Sequence, residues 1–307
     1  MVEDKEIKAT VSPFAIRPGE IKVFDGKDGY VSMNQIIHKI NVGHINDLHF
    51  KILELVNKFE FMTSRQIFQM LEWEHVEIES QDKLNNKLEQ LTKSKILTRY
   101  YFDCKDGKGV YRIYSLEKMG KYLLNSRGID CKWQPTDNTK PVAMVKKRLA
   151  GNQVIIAYLR KVSAFDSYTP KPSFTAKQNG KQFKATGGSV KLTKNNKSIE
   201  FVFEIIRRED EWEKKLVDKM KLYKDFYENF QVGDSGYMSL PQLIIVCEDE
   251  RHMAETFKTI VLNHVEISNI KLYFTTDLRQ NEETLSKTLV EFKIDEASGK
   301  YRMQDVE

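Results

Sequence analysis

The chain has 307 residues, of which 40% are hydrophobic, 30% charged and 11% aromatic, with a mean hydropathy of −0.52. That composition excludes wholesale disorder and a collagen-like chain, and no run approaches the roughly 18–20 apolar residues that cross a bilayer. The net charge of +5 admits an anionic partner without requiring one. Cys104, Cys131 and Cys247 lie far apart and form no CxxC, and the charged start MVEDKEIKAT carries no apolar signal region. Reduced thiols and a cytoplasmic location are the expectation.

In residues 1–46, Ile21–Phe24 and Tyr30–Met33 flank Asp25-Gly26-Lys27-Asp28-Gly29 and read as a hairpin with a glycine turn. Asn34–Ile40 reads as a short helix. From Asp47 the pattern sharpens. Leu48, Ile52, Leu55, Val56 and Phe59 share one helical face. Thr63-Ser64-Arg65-Gln66 fits a capping box opening a second helix with Ile67, Phe68, Met70 and Leu71 inward. Ser80 or Asp82 caps a third, with Leu84, Leu88 and Leu91 on its buried face. The period then changes. Ile96–Phe102 and Val110–Tyr114 read as strands around a glycine-containing turn, Asp103–Gly109. A helix through Leu116, Met119, Leu123 and Leu124 ends near Gly128. Three helices, a strand, a loop, a strand and a helix are the order of a winged helix-turn-helix.

Residues 129–140 read as a linker. Val142–Val162 reads as a helix, with Gly151 as a point of bending, and Tyr168–Gly188 as loop with one strand. Ser189–Leu192 and Ile199–Ile206 are predicted strands joined by the turn Lys194-Asn195-Asn196-Lys197. Glu211–Phe230 is a predicted helix. Leu243–Cys247 is a continuous apolar run, as a strand covered on both faces requires. A helix over Met253–Leu262 and a strand over Ile270–Thr275 complete an alternating α/β pattern.

Charge is uneven. Between Lys132 and Ile199 the only acids are Asp137 and Asp166, against a run of lysines and arginines. This is either a solvated basic segment or a phosphate-facing surface.

In a helix-turn-helix the second helix of the motif enters the major groove, here about Gln81 to Thr92. With its leucines inward, Gln81, Asn85, Asn86, Lys87 and Gln90 remain for solvent or bases. Amides pair with adenine and lysine donates to guanine. Lys83, Lys87, Lys93, Lys95 and Arg99 are candidates for phosphate, and Lys105 and Lys108 sit at the wing tip. Asp82 and Glu89 oppose this, and a protein-binding winged helix is the alternative.

The two halves together resemble the replication-relaxation family of plasmids and other mobile elements. The resemblance rests on Thr63-Ser64-Arg65-Gln66-Ile67, Leu88 to Leu97, Val110-Tyr111-Arg112-Ile113-Tyr114, Phe201-Val202-Phe203-Glu204, Lys214-Lys215-Leu216 to Tyr223, Leu243 to Val246 and Tyr273-Phe274-Thr275-Thr276. It covers roughly residues 47–280. It implies an N-terminal winged helix followed by a restriction-endonuclease-like, PD-(D/E)XK-related α/β domain over 141–307.

A nuclease of that kind needs clustered carboxylates for Mg²⁺ and a lysine beside them. Glu204 fits the second acid, but Ile206 stands where the lysine belongs and Gly188-Ser189-Val190 offers no first acid. Glu200 shares strand parity with Glu204, and Arg207 is a poor proton acceptor. An inactive nuclease fold is the expectation, with metal-dependent cleavage through Glu204 as the alternative. His38, His44 and His49 lack zinc spacing, and no phosphate-binding glycine motif is present. The expectation is a sequence-specific double-stranded DNA-binding accessory protein of a mobile element, acting in replication, mobilisation or transcriptional control. It needs no cofactor, metal or membrane. A homodimer and replication or conjugation proteins are further candidate partners.

Overall fold

A computed structural model describes residues 11–104, 111–178, 180–281, 288–295 and 300–306. The chain divides into two compact units, Ile16–Ile156 and a second made of residues 11–15 with Ala157–Glu307.

The first unit opens with strand β1 (Ile21–Phe24) and helix α1 (Met33–Asn41), capped by Ser32. Tyr30–Met33 does not return as a strand. β1 pairs antiparallel with a strand from far along the chain, so the expected local hairpin is replaced by a long-range edge strand. Helix α2 (Asp47–Phe59) buries Ile52, Leu55, Val56 and Phe59. A two-residue strand β2 (Met62–Thr63) leads into α3 (Ser64–Trp73), where the expected capping box is formed. The Gln66 N–H donates to Thr63 Oγ1 (3.2 Å), and the Thr63 N–H donates to Gln66 Oε1 (3.1 Å). Such a cap contributes about 1 kcal/mol. Helix α4 (Gln81–Lys93) is capped by Ser80 and buries Leu84, Leu88 and Leu91 completely. β3 (Leu97–Asp103), β4 (Ile113–Leu116) and α5 (Lys118–Ser126) follow. The sheet order is β1-β3-β4-β2, antiparallel throughout.

Residues 129–140 are not a bare connection. Pro135–Thr139 forms a 3₁₀ turn, and the Lys22 ammonium donates to the carbonyls of Asn138 and Lys140 (2.7 and 2.8 Å). Helix α6 (Val142–Lys161) runs through Gly151 as one helix. Its first part belongs to the first unit, because the Asn152 amide donates to the carbonyls of Phe59 (3.2 Å) and Phe61 (2.7 Å). The division between units therefore falls at Ile156 and Ala157, inside this helix.

The second unit is built on a sheet of seven strands. β5 (Phe165–Thr169) comes first, and a separate two-stranded ribbon, β6 (Ser173–Thr175) with β7 (Gln182–Lys184), occupies the stretch read as loop. β8 (Ser189–Lys194) and β9 (Lys197–Ile205) form a hairpin whose two turn residues, Asn195 and Asn196, sit at φ 50° and 61°. Asparagine tolerates that left-handed backbone better than most residues, which favours the tight hairpin turn. Then come α7 (Trp212–Glu228), β10 (Gln242–Cys247), α8 (Glu250–Leu262), β11 (Tyr273–Thr276), β12 (Val290–Asp295) and β13 (Lys300–Asp305). The order is β13-β12-β11-β10-β9-β8-β5. β10 is parallel to both of its neighbours, and its apolar run Leu243–Cys247 is buried throughout, as suits a central strand covered on both faces. Val202 on β9 and Ile206 just after it join the core with Leu216, Met220 and Tyr223 of α7. Phe201 and Phe203 alternate with them and meet Tyr158 on the other face. Among the described residues no helix is long and apolar enough to cross a membrane.

Candidate functional site

The leucine face of α4 settles where its polar residues stand. Lys83, Asn86, Gln90 and Lys93 are exposed and recur at three- and four-residue spacing along one side; Gln81, Asn85 and Lys87 flank them, half-buried. The row is partly pre-ordered. Gln81 Nε2 donates to Asn85 Oδ1 (3.2 Å). Gln90 Oε1 lies 3.1 Å from Nε2 of His49, a fully buried histidine on α2. Burial holds the His49 imidazole below its usual pKa, the Gln90 hydrogen bond opposing and the Lys87 charge reinforcing the effect. A neutral ring donating through Nε2 fixes the Gln90 carbonyl inward and leaves its NH₂ outward. Lys83 and Lys93 make only exposed contacts to Glu79 (3.6 Å) and Glu89 (3.4 Å). Lys95, at the exit of the helix, has φ 53° and is half-buried.

Arg99 departs from expectation. It is 8% exposed, and two carboxylates occupy its guanidinium. Its Nη1 forms a short ion pair with Glu89 of α4, and its Nε donates to the Asp25 carbonyl (2.8 Å) and lies 3.0 Å from Asp25 Oδ2. The cause is the unexpected pairing of β1 with β3, which carries Asp25 alongside; the Asp25 N–H donates to the Arg99 carbonyl (2.9 Å). Partial burial works against ionisation of Glu89, but Arg99 and Lys93 outweigh it and hold its carboxyl below the usual range. Arg112 also reaches Asp25 (3.2 Å). Gly26, Lys27, Glu89, Thr92, Lys93 and Arg99 line an open groove of about 300 Å³. Asp25 and Lys27, read in the sequence only as turn residues, and Arg112, read only as part of a strand, were not among the predicted contact residues. Lys105 and Lys108 lie outside the described residues.

The basic run of the middle segment is largely spent within each unit. Lys140 pairs with Asp137 (2.8 Å) and Glu60 (3.2 Å), and Arg148 with Glu60 (3.2 Å). Buried Lys146 pairs with Glu20, Lys177 with Asp234 (2.8 Å), and Lys191 with Asp166 (3.4 Å). Lys194 and Lys197 at the β8–β9 turn are exposed.

Glu204 is 3% exposed and its oxygens are taken. Thr186 Oγ1 donates to Oε1 (2.9 Å), the Tyr223 hydroxyl to Oε2 (2.8 Å), and the Lys219 ammonium stands 3.9 Å from Oε2. Burial, with Glu204 adding, drives the Tyr223 phenol far above its usual pKa, so it remains a donor. No carboxylate side chain fits at position 187, in the bend between β7 and β8. A Cβ there would lie 2.8 Å from the Phe203 carbonyl oxygen and 2.6 Å from Ile205 Cδ1. Glu200 lies four residues back along β9, roughly 13 Å at strand rise, too far to share an ion. Among the described residues no group of three or more His, Cys, Asp and Glu is placed to hold a metal. The residues present do not fit a Mg²⁺ site. Arg207 does not serve Glu204 either. It is wholly buried and paired with Asp277. Cys131 and Cys247 are buried, and burial pushes the Cys247 thiol up to about 12; Cys104 is half-buried, its Sγ accepting from Arg17 Nη1 (3.2 Å).

These units define a mixed α/β protein with a helix-rich first unit and a largely parallel-centred sheet in the second. The family model described as Replication-relaxation matches residues 53–235, and the chain belongs to that family. No curated protein matches it. A solved structure of the restriction endonuclease FokI is similar at 10% identity and a TM-score of 0.29, over 76% of this chain and 42% of that one.

Proposed function

We propose that the chain is a duplex-DNA-binding accessory protein of a mobile element, acting in its replication, mobilisation or transcriptional control. In this reading α2, α3 and α4 with the β3–β4 pair form a winged helix, and α4 reads the major groove. The observation that supports it best is the polar row Lys83, Asn86, Gln90 and Lys93, presented opposite three fully buried leucines. Amide and ammonium donors on one exposed helix face are the chemistry that base edges and phosphates accept. The second unit is read as a nuclease-related α/β fold, built on β5, β8, β9, α7 and β10 and serving assembly or DNA contact. Cleavage is not favoured, because Glu204 is enclosed by Thr186, Tyr223 and Lys219.

The test is a fluorescence-anisotropy titration of duplex DNA with the full chain. Lys83→Glu with Lys87→Glu is expected to weaken binding at least tenfold at about 0.1 M salt, since each phosphate contact contributes roughly 0.9 to the slope of log K against log salt. Equal affinity for wild type and variant would refute α4 as the contact surface.

A further inference from the structure

We propose that the carboxylate of Asp25 acts as an internal substitute for a DNA phosphate, holding Arg99 and Arg112 neutralised until duplex DNA displaces it at the groove beside α4. This rests on the DNA-binding reading and names how that surface is regulated. The geometry is that of a phosphate clamp already filled. One carboxylate oxygen, Asp25 Oδ2, stands 3.0 Å from Arg99 Nε and 3.2 Å from Arg112 Nε, as a phosphate oxygen shared between two arginines would. Glu89 takes Arg99 from the other side. Lys27 and Lys93 complete the lining of the same groove, and both are exposed. Without the carboxylates of Asp25 and Glu89, the charged side chains of this cluster, Lys27, Lys93, Arg99 and Arg112, are all cations. Arg112 has a side chain 58% exposed, so it has little structural need of Asp25. Arg99, 10% exposed, is one of the residues that line the groove.

Asp25 is also placed to move. It follows β1, which is an edge strand with Ile21 and Phe24 more than half exposed, so little apolar burial holds this strand down. Among the described residues its backbone is tied to Arg99 alone, the N–H donating to the Arg99 carbonyl (2.9 Å) and the carbonyl accepting from Arg99 Nε (2.8 Å). A segment held by ladder bonds and ion pairs and little packing is drawn from the low-stability end of a fold. Exchanging Asp25 for a phosphodiester leaves the arginines paired throughout, so the buried charge of Arg99 is never exposed without a partner.

The experiment titrates a labelled duplex of about 30 base pairs with full-length wild type, Asp25→Asn, Glu89→Gln, and Asp25→Asn with Arg112→Ala, across a salt series. Asp25→Asn keeps the backbone bond and side-chain size. It is expected to bind about three- to tenfold more tightly than wild type with a similar slope of log K on log salt, because the same phosphate is contacted once Asp25 has been displaced. Arg112→Ala in that background is expected to remove most of the gain. Glu89→Gln acts on Arg99 from α4 and is expected to shift affinity in the same direction. It decides the matter should Asp25→Asn fail to fold. If wild type binds and neither single variant binds more tightly, the substitution mechanism is overturned and the DNA-binding reading stands. If no protein binds duplex even at the lowest salt, both are overturned.

Discussion

Arg207 and Asp277 meet in the interior of the second unit, the Arg207 Nη2 donating to both carboxylate oxygens at 2.8 and 2.9 Å. Nη1 of the same guanidinium donates to the carbonyls of Ile206 (2.8 Å) and Val246 (3.4 Å). Arg207 follows β9, Val246 is on β10 and Asp277 follows β11, so one side chain ties together the carboxyl ends of three parallel strands. Ser12 adds a short hydrogen bond to Asp277.

Breaking this pair from one side leaves an uncompensated buried charge. Arg207→Met is expected to destabilise the fold by about 3–5 kcal/mol, read as a shift in urea midpoint. Adding Asp277→Leu removes the stranded carboxylate and is expected to recover much of the loss. A single variant within 1 kcal/mol of wild type would mean that the strand ends are held by packing alone.

His252 makes stability depend on pH. It is wholly buried near the start of α8, its Nδ1 accepting from the Glu248 N–H (3.3 Å), its ring edge-on to Trp212 at 4.8 Å. Burial, with Arg208 and Arg207 nearby, lowers its pKa from 6.5 to about 3. Above pH 6.5 the ring is neutral in both folded and unfolded chains, and its contribution is fully present. Below that the unfolded chain takes up a proton that the folded one refuses. Stability is then lost at about 1.4 kcal/mol per pH unit until pH approaches 3. Urea unfolding of wild type and His252→Gln from pH 7 to pH 4 is expected to show a shallower decline in the variant. Parallel curves would assign the acid sensitivity to other groups.

Sequence periodicity located elements made by near neighbours. The leucine stripe of α4, the Thr63–Gln66 cap, the Asn195–Asn196 hairpin and the apolar β10 all follow from residues within a few positions of one another. What sequence could not show is pairing across distance. β1 meets β3 some eighty residues on and brings Asp25 to Arg99, which Glu89 of α4 also holds. The same holds for the basic middle segment. A count of charges along the chain is blind to Glu20 and Glu60, which reach Lys146, Arg148 and Lys140 only in the fold. Helix α6 was legible as a helix but not as a member of the first unit, because Asn152 finds its carbonyls at Phe59 and Phe61.

Glu204 gives a direct test of cleavage. A carboxylate that accepts from Thr186 and Tyr223 is a structural acceptor in a buried network. Supercoiled plasmid incubated with the full chain and Mg²⁺ or Mn²⁺ is expected to remain supercoiled. Glu204→Ala leaves the Tyr223 hydroxyl unsatisfied and is expected to cost about 1–3 kcal/mol in unfolding free energy. Nicking by wild type that disappears in Glu204→Gln would reverse the assignment.

The exposed row of α4 separates positioning from reading. Lys83 carries a charge at the open face, near the first turn of the helix, whereas Asn86 presents an amide at the middle of the row. A phosphate contact has no sequence information, so Lys83→Ala is expected to weaken all duplexes alike and to reduce the salt slope by about one contact. An amide aimed at a base edge contributes discrimination. Asn86→Ala is therefore expected to leave the salt slope unchanged and to lower the preference for the selected site by about 1–3 kcal/mol, with little effect on unrelated duplexes. Selecting a preferred site from a random duplex library and measuring both variants on it and on scrambled DNA distinguishes the two roles. Should Asn86→Ala weaken selected and scrambled duplexes equally, α4 would contribute electrostatic attraction without reading the sequence.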